Sequence, residues 1–167
     1  VGGFNAAQYK ARGIYFASNE HVILQSSEHT RMMRVRGSWE NSAAFVYNLT
    51  TKKIKALLSK TKGLYPAQSG LGNIVGFNKD SNELYMPALA GSLGSTPKNH
   101  LYRVNLKNGK GKVHAKGNAS TLRWFVDESG KILAREDYNN KAQKHRIYSK
   151  VSGKWQVIYS HDTDIRE

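Results

Sequence analysis

The sequence predicts an all-β fold, a partial β-propeller of about three four-stranded antiparallel blades. A unit of apolar strands and polar turns recurs about three times at roughly the 45 to 60 residue spacing of repeat proteins. Each copy holds four short strands, the content of one blade. Turn residues also stand at matched places between the apolar runs.

The first hairpin of each copy follows one plan. Ile14-Tyr15-Phe16 leads through Ser18-Asn19-Glu20 to Val22-Ile23-Leu24. Ile74-Val75-Gly76-Phe77 leads through residues 78–82, Asn-Lys-Asp-Ser-Asn, to Leu84-Tyr85-Met86. Trp124-Phe125-Val126 leads through Asp127-Glu128-Ser129-Gly130 to Ile132-Leu133-Ala134. Asx, Ser and Gly close such turns because they bond their own backbone or tolerate positive φ.

A second hairpin completes each copy. Residues 45–49 turn at Thr50-Thr51-Lys52 into 54–57, residues 101–106 turn at Lys107-Asn108-Gly109 into Lys112-Val113, and Ile147-Tyr148 turns at Ser152-Gly153-Lys154 into 155–159. The blades are expected at about residues 12–60, 72–117 and 121–160 of a single unit covering 1–167.

Propellers have roughly four to eight blades, so about three blades predict a fragment of a larger ring. The start, Val1-Gly2-Gly3-Phe4-Asn5, has no initiator Met and no charged-then-apolar signal segment, which fits a chain excised from something longer. The open first and last blades should then expose apolar faces, and self-association through them is expected.

Composition excludes several classes. With 39% hydrophobic residues the chain can bury a core and is not disordered. No run approaches the roughly 18 apolar residues of a membrane span. The absence of cysteine removes disulfides, thiolate zinc cages and thiol chemistry. The net charge of +14 draws nucleic acid, anionic lipid or an acidic partner without choosing among them.

That charge concentrates at the second hairpins: Lys52, Lys53, Lys55, Lys60 and Lys62, then Lys107, Lys110, Lys112 and Lys116, then Lys150 and Lys154. Equivalent turns of adjacent blades project from one side, so these lysines should form a basic rim. Solvated edge protection is the plainer explanation for them, and an acidic docking partner the sharper one, with Lys52, Lys53 and Lys112 as its candidate contacts. A separate basic stretch, Arg31, Arg34 and Arg36 within Arg31-Met32-Met33-Arg34-Val35-Arg36, reads either as a strand with alternating exposed arginines or as a second candidate partner surface, since arginine pairs bidentately and stacks.

Chemical motifs are weak. Ala90-Gly91-Ser92-Leu93-Gly94 imitates a nucleophile elbow, but a loop around Pro97 follows where a helix is required. Gly70-Leu71-Gly72-Asn73-Ile74-Val75-Gly76 lacks the third glycine of a dinucleotide fingerprint and reads as an inter-blade turn whose glycines supply positive φ or close approach. His161-Asp162-Thr163-Asp164 has no further ligands at fixed spacing, and Asn48-Leu49-Thr50 and Asn118-Ala119-Ser120 match the glycosylation triplet only as chance permits. No catalytic residue, metal ligand or cofactor is assigned.

The run Trp124-Phe125-Val126-Asp127-Glu128-Ser129-Gly130-Lys131-Ile132-Leu133-Ala134-Arg135, then Asp137-Tyr138, His145-Arg146-Ile147-Tyr148 and Gly153-Lys154-Trp155, resembles the amino-terminal propeller of bacterial serine peptidases of the prolyl oligopeptidase family. Residues 82–85 and 102–109 are similar to the preceding blade of such proteins, so the resemblance covers about Ile14 to Tyr159. It implies a non-catalytic module that caps a carboxy-terminal α/β-hydrolase domain of the same polypeptide and gates peptide substrates. The family's serine, aspartate and histidine match no position here, so no peptidase activity is expected of this chain alone. The resemblance points to the periplasm, while the residues themselves leave the compartment open. The competing function is a free-standing propeller that binds an anionic partner through its lysine-rich face. Specific nucleic-acid binding is not expected, since no base-reading motif is present.

Overall fold

The computed structural model describes residues 10–31 and 38–163. Among these there is no helix, and so none long and apolar enough to cross a membrane. The first sheet runs β1 (Lys10–Phe16), β2 (His21–Arg31), β3 (Ser38–Asn48) and β4 (Ile54–Ala56), with a two-residue β5 (Gly70–Leu71) added in parallel to β3. The second runs β6 (Gly76–Asn78), β7 (Glu83–Ala90), β8 (Lys98–Asn105) and β9 (Gly111–Ala115). The third runs β10 (Thr121–Val126), β11 (Ile132–Asn139), β12 (Lys144–Ser149) and β13 (Gln156–Asp162). Apart from β5, each sheet is an antiparallel meander in chain order.

The turns close where local chemistry demands it. Asp127 Oδ1 accepts hydrogen bonds from Ser129 N and Lys131 N, both at 2.9 Å, which curls the chain between β10 and β11. Asn48 Oδ1 accepts from Thr51 N at 2.7 Å between β3 and β4, where Lys52 takes the left-handed φ of 57°. Asn105 and Asn78 cap the corresponding turns of the second sheet in the same way.

Layering follows from side-chain alternation. From β7, Leu84, Met86 and Ala88 point one way, into a core with Ile23, Ala44, Val46, Leu57 and Leu58 of the first sheet and its following loop. Tyr85 points the other way, onto Leu101, Trp124 and Ile132. The second sheet is therefore the middle layer, and β7, buried on both faces, reads as an almost unbroken apolar run. Each fully buried side chain of this size contributes about 1.5–3 kcal/mol of transfer free energy.

The outer layers are covered on one face by the described residues. On the first sheet Ile14 and Phe16, paired with Leu24 and Val22, are 66% and 72% exposed. On the third, Phe125 and Tyr159 point away from the middle sheet and are 44% and 43% exposed.

Two features depart from the sequence reading. The glycine segment at 70–72 is paired structure as well as connection: Ser42 and Ala43 align with Gly70 and Leu71. Gly72 lies so close to Ser42 and Ala43 that a Cβ there would meet Ala43 N at 3.1 Å, the close approach expected, without positive φ. The strands β2 and β3 are also longer than their apolar runs, extending through Ser26-Ser27-Glu28 and Glu40-Asn41-Ser42. Ser27 Oγ donates to Glu40 Oε1 at 2.6 Å, and Arg12 pairs with the same carboxylate, so side chains hold the polar end of the sheet together.

Pro87 sits within β7, which lacks a β6 partner beyond Tyr85. Its missing N–H therefore breaks no ladder. Two residues on, the Gln68 side chain substitutes for a strand: Leu89 N donates to Gln68 Oε1 at 2.8 Å and Gln68 Nε2 donates to Leu89 O at 3.0 Å.

Candidate functional site

In a four-stranded meander the first and third turns lie at one end and the middle turn at the other. Contacts between sheets keep these ends in step. Leu58 N, after β4, donates to Gly109 O in the β8–β9 turn at 2.8 Å, and the Lys55 ammonium donates to Lys107 O. Asn78 Nδ2, at the β6–β7 turn, donates to Ser129 O at 2.9 Å, and His114 Nε2 lies 2.9 Å from Gly130 O. Each seam between sheets opens into a cavity at this shared end.

The first cavity, of about 330 Å³, is lined by Glu20, His21, Asn48, Lys53, Lys55 and Lys107, among others. Its polar wall is internally bonded. His21, 3% exposed, lies between Asn48 Nδ2, which donates to Nε2 at 3.3 Å, and Ser18 Oγ, 3.1 Å from Nδ1. The second cavity, of about 600 Å³, is lined by Glu83, Tyr85, Arg103, His114, Lys131 and Lys150, among others. Both combine a glutamate, a histidine and lysines: Lys53 and Lys55 of the first sheet with Lys107 of the second in one, Lys131 and Lys150 of the third sheet in the other.

The residues singled out from the sequence separate accordingly. Lys53 enters the first cavity, and Lys52 stands exposed beside it in the turn. Lys112 is exposed on β9, directly opposite Arg103, which itself pairs with Glu83 at 3.4 Å. Arg31 closes β2 opposite Ser38, at the other end of the first sheet from the lysine turns. Arg34 and Arg36 lie outside the described residues. Arg31 and the lysine-bearing turns are thus at opposite ends of the first sheet.

Sequence reasoning did not single out His21, His114 or Tyr85, because His114 and Tyr85 meet the β10–β11 turn of another sheet and His21 meets Asn48 across the β2–β3 pairing. Burial pushes the Tyr85 hydroxyl pKa upward, with the Glu83 carboxylate adding to the effect. The signal available was weak: a histidine opening β2 and a histidine within β9.

Two other clusters carry chemistry-bearing groups. The Arg135 guanidinium lies 4.9 Å from the Trp155 ring centre, 5.1 Å from Tyr148 and 5.8 Å from Trp124, and pairs with Asp137 at 2.9 Å. The protein's own arginine thus fills the aromatic cage that a cationic ligand would need. On the other face of the third sheet, buried Glu136 meets His145 at 3.1 Å and Arg123 at 3.3 Å. No group of three His, Asp or Glu among the described residues is arranged to hold a metal ion. Ser92 lies in a turn between β7 and β8, with a strand following where a nucleophile elbow needs a helix.

Comparison with protein-family models and with curated proteins finds no match to this chain.

Proposed function

We propose that this chain is a non-catalytic β-propeller segment that caps the α/β-hydrolase domain of a serine peptidase and gates its peptide substrates. The observation that carries the reading is the stack itself. Three successive meanders pack face to face with the middle one buried on both sides, while Ile14 and Phe16 at one end and Phe125 and Tyr159 at the other stand exposed. Further blades of the same kind would cover those outer faces and continue the ring. The peptidase part of the reading rests on the resemblance of the Trp124–Arg135 run and of Trp155. Those residues converge in the third sheet, where Arg135 stacks on Trp124 and Trp155.

The role is steric. Rigid sheets wall off a channel, and short peptides pass where folded proteins do not. The test is the encoding gene on both sides of this stretch, followed by assay of the whole product. We expect additional blade repeats and a downstream nucleophile elbow, with cleavage of short peptides and not of folded proteins. A coding sequence with neither feature would overturn the proposal.

A further inference from the structure

We infer that the turn face at the seam between the first and second sheets is a binding site for an extended acidic peptide segment, whose carboxylates pair with Lys53 and Lys107. Three observations lead there, none of which depends on the peptidase reading.

The first is uncompensated charge. Among the described residues the ion pairs engage Arg12, Arg103, Arg123, Arg135, Lys144 and His145. None involves Lys52, Lys53, Lys107 or Lys110, although these exposed lysines occupy two adjacent turns. Like charges held close repel one another, and an anion between them relieves that repulsion.

The second is shape. Lys53 and Lys107 meet at a cavity of about 330 Å³, at the lower end of the roughly 300–1,000 Å³ of ligand pockets. Of its other polar groups, Asn48 is engaged with Thr51 and His21 and Lys55 with the Lys107 carbonyl, while Glu20 sets one carboxylate against three lysines. The Lys53 and Lys107 ammonium groups are left as donors without an ion-pair partner, so recognition is led by charge.

The third is what else lines the cavity. Glu20 stands in it, and no tyrosine, tryptophan or phenylalanine does. A nucleic acid would bring a continuous row of phosphates against Glu20 and find no tyrosine, tryptophan or phenylalanine ring on which to stack bases. A peptide with spaced carboxylates avoids Glu20, and the second cavity also holds two lysines, Lys131 and Lys150.

The test is fluorescence anisotropy with a fluorescein-labelled peptide of alternating glutamate and glycine at near-physiological salt, about 150 mM. Wild type should bind. Lys53→Ala with Lys107→Ala should weaken binding about ten-fold, two exposed charge pairs being lost. Lys98→Ala with Lys141→Ala removes the same charge from the opposite ends of the second and third sheets and should change it less than about two-fold. Circular dichroism and melting establish that both variants fold, and glutamine at the same positions serves if alanine does not. Equal weakening by the two pairs would reduce the effect to net charge and overturn the site, as would no binding by wild type at this salt. A DNA duplex that binds more tightly than the peptide with the same lysine dependence would overturn the peptide assignment.

Discussion

Replacing Gly130 by alanine tests how the second and third sheets are joined. Gly130 ends the β10–β11 turn at a φ of +84°, where its N–H donates to Asp127 O at 2.9 Å and its carbonyl faces His114 Nε2. A Cβ added there would overlap the ring of Tyr85, which is 3% exposed and packed on Leu101 and Trp124. Two costs follow. The left-handed conformation costs an alanine about 1 kcal/mol, and displacing Tyr85 from a filled core costs about 1–3 kcal/mol more. Gly153 supplies the control, because it has nearly the same φ, +85°, and nothing within 4 Å of an added Cβ.

Thermal melting should therefore separate the two variants. At about 2–4 °C per kcal/mol for a chain of this size, Gly153→Ala should lower the Tm by about 3 °C and Gly130→Ala by roughly 6–12 °C. Tyr85→Ala combined with Gly130→Ala should recover the steric part, so the double variant should lose less than the sum of the two single losses. A Gly130→Ala protein no less stable than Gly153→Ala would refute the packing of the β10–β11 turn on Tyr85.

Two further predictions concern buried charge. Asp137→Ala leaves the Arg135 guanidinium without its partner in a site where both side chains are almost covered, and should destabilise by about 3 kcal/mol in urea unfolding. Arg135→Met combined with Asp137→Leu should cost less than either single change, and a fully additive result would show the pair to be uncoupled. Burial, with Lys116 and Lys98 nearby, lowers the His100 pKa below its ordinary 6.5. Its Nδ1 also accepts Gly117 N at 3.3 Å, which requires the unprotonated nitrogen. The folded state thus resists protonation. His100's contribution to stability is complete above pH 6.5 and is lost as pH falls through that value towards the lower folded pKa. His100→Gln should remove that slope from a stability–pH profile, and an unchanged slope would exclude His100 as its source.

Particular residues show where sequence reading succeeds. The turn at Asp127-Glu128-Ser129-Gly130 was legible because its hydrogen bonds join residues two to four apart. Asn108-Gly109 and Ser152-Gly153 were legible for the same reason, both glycines having the positive φ that such turns need. The polar ends of β2 and β3 were not. Ser27, Glu28 and Glu40 show no apolar alternation, and they are strand because Arg12, Ser27 and Glu40 bond across the sheet. The candidate site divides in the same way. The lysine-bearing turns were visible in the sequence, whereas the cavities between them depend on how the sheets stack, as where Tyr85 and His114 meet the β10–β11 turn.

By itself the amino-acid sequence determined an all-β chain, the pairing of neighbouring strands into three meanders and the placing of lysines at their turns, because alternation and turn chemistry act between close residues. Only the tertiary structure decided that the second sheet lies between the other two, that Gly130 closes onto Tyr85, that β5 joins β3 and that Lys53 and Lys107 share a cavity. Those outcomes follow from which apolar faces exclude water together, and the residues concerned are separated by tens of positions along the chain.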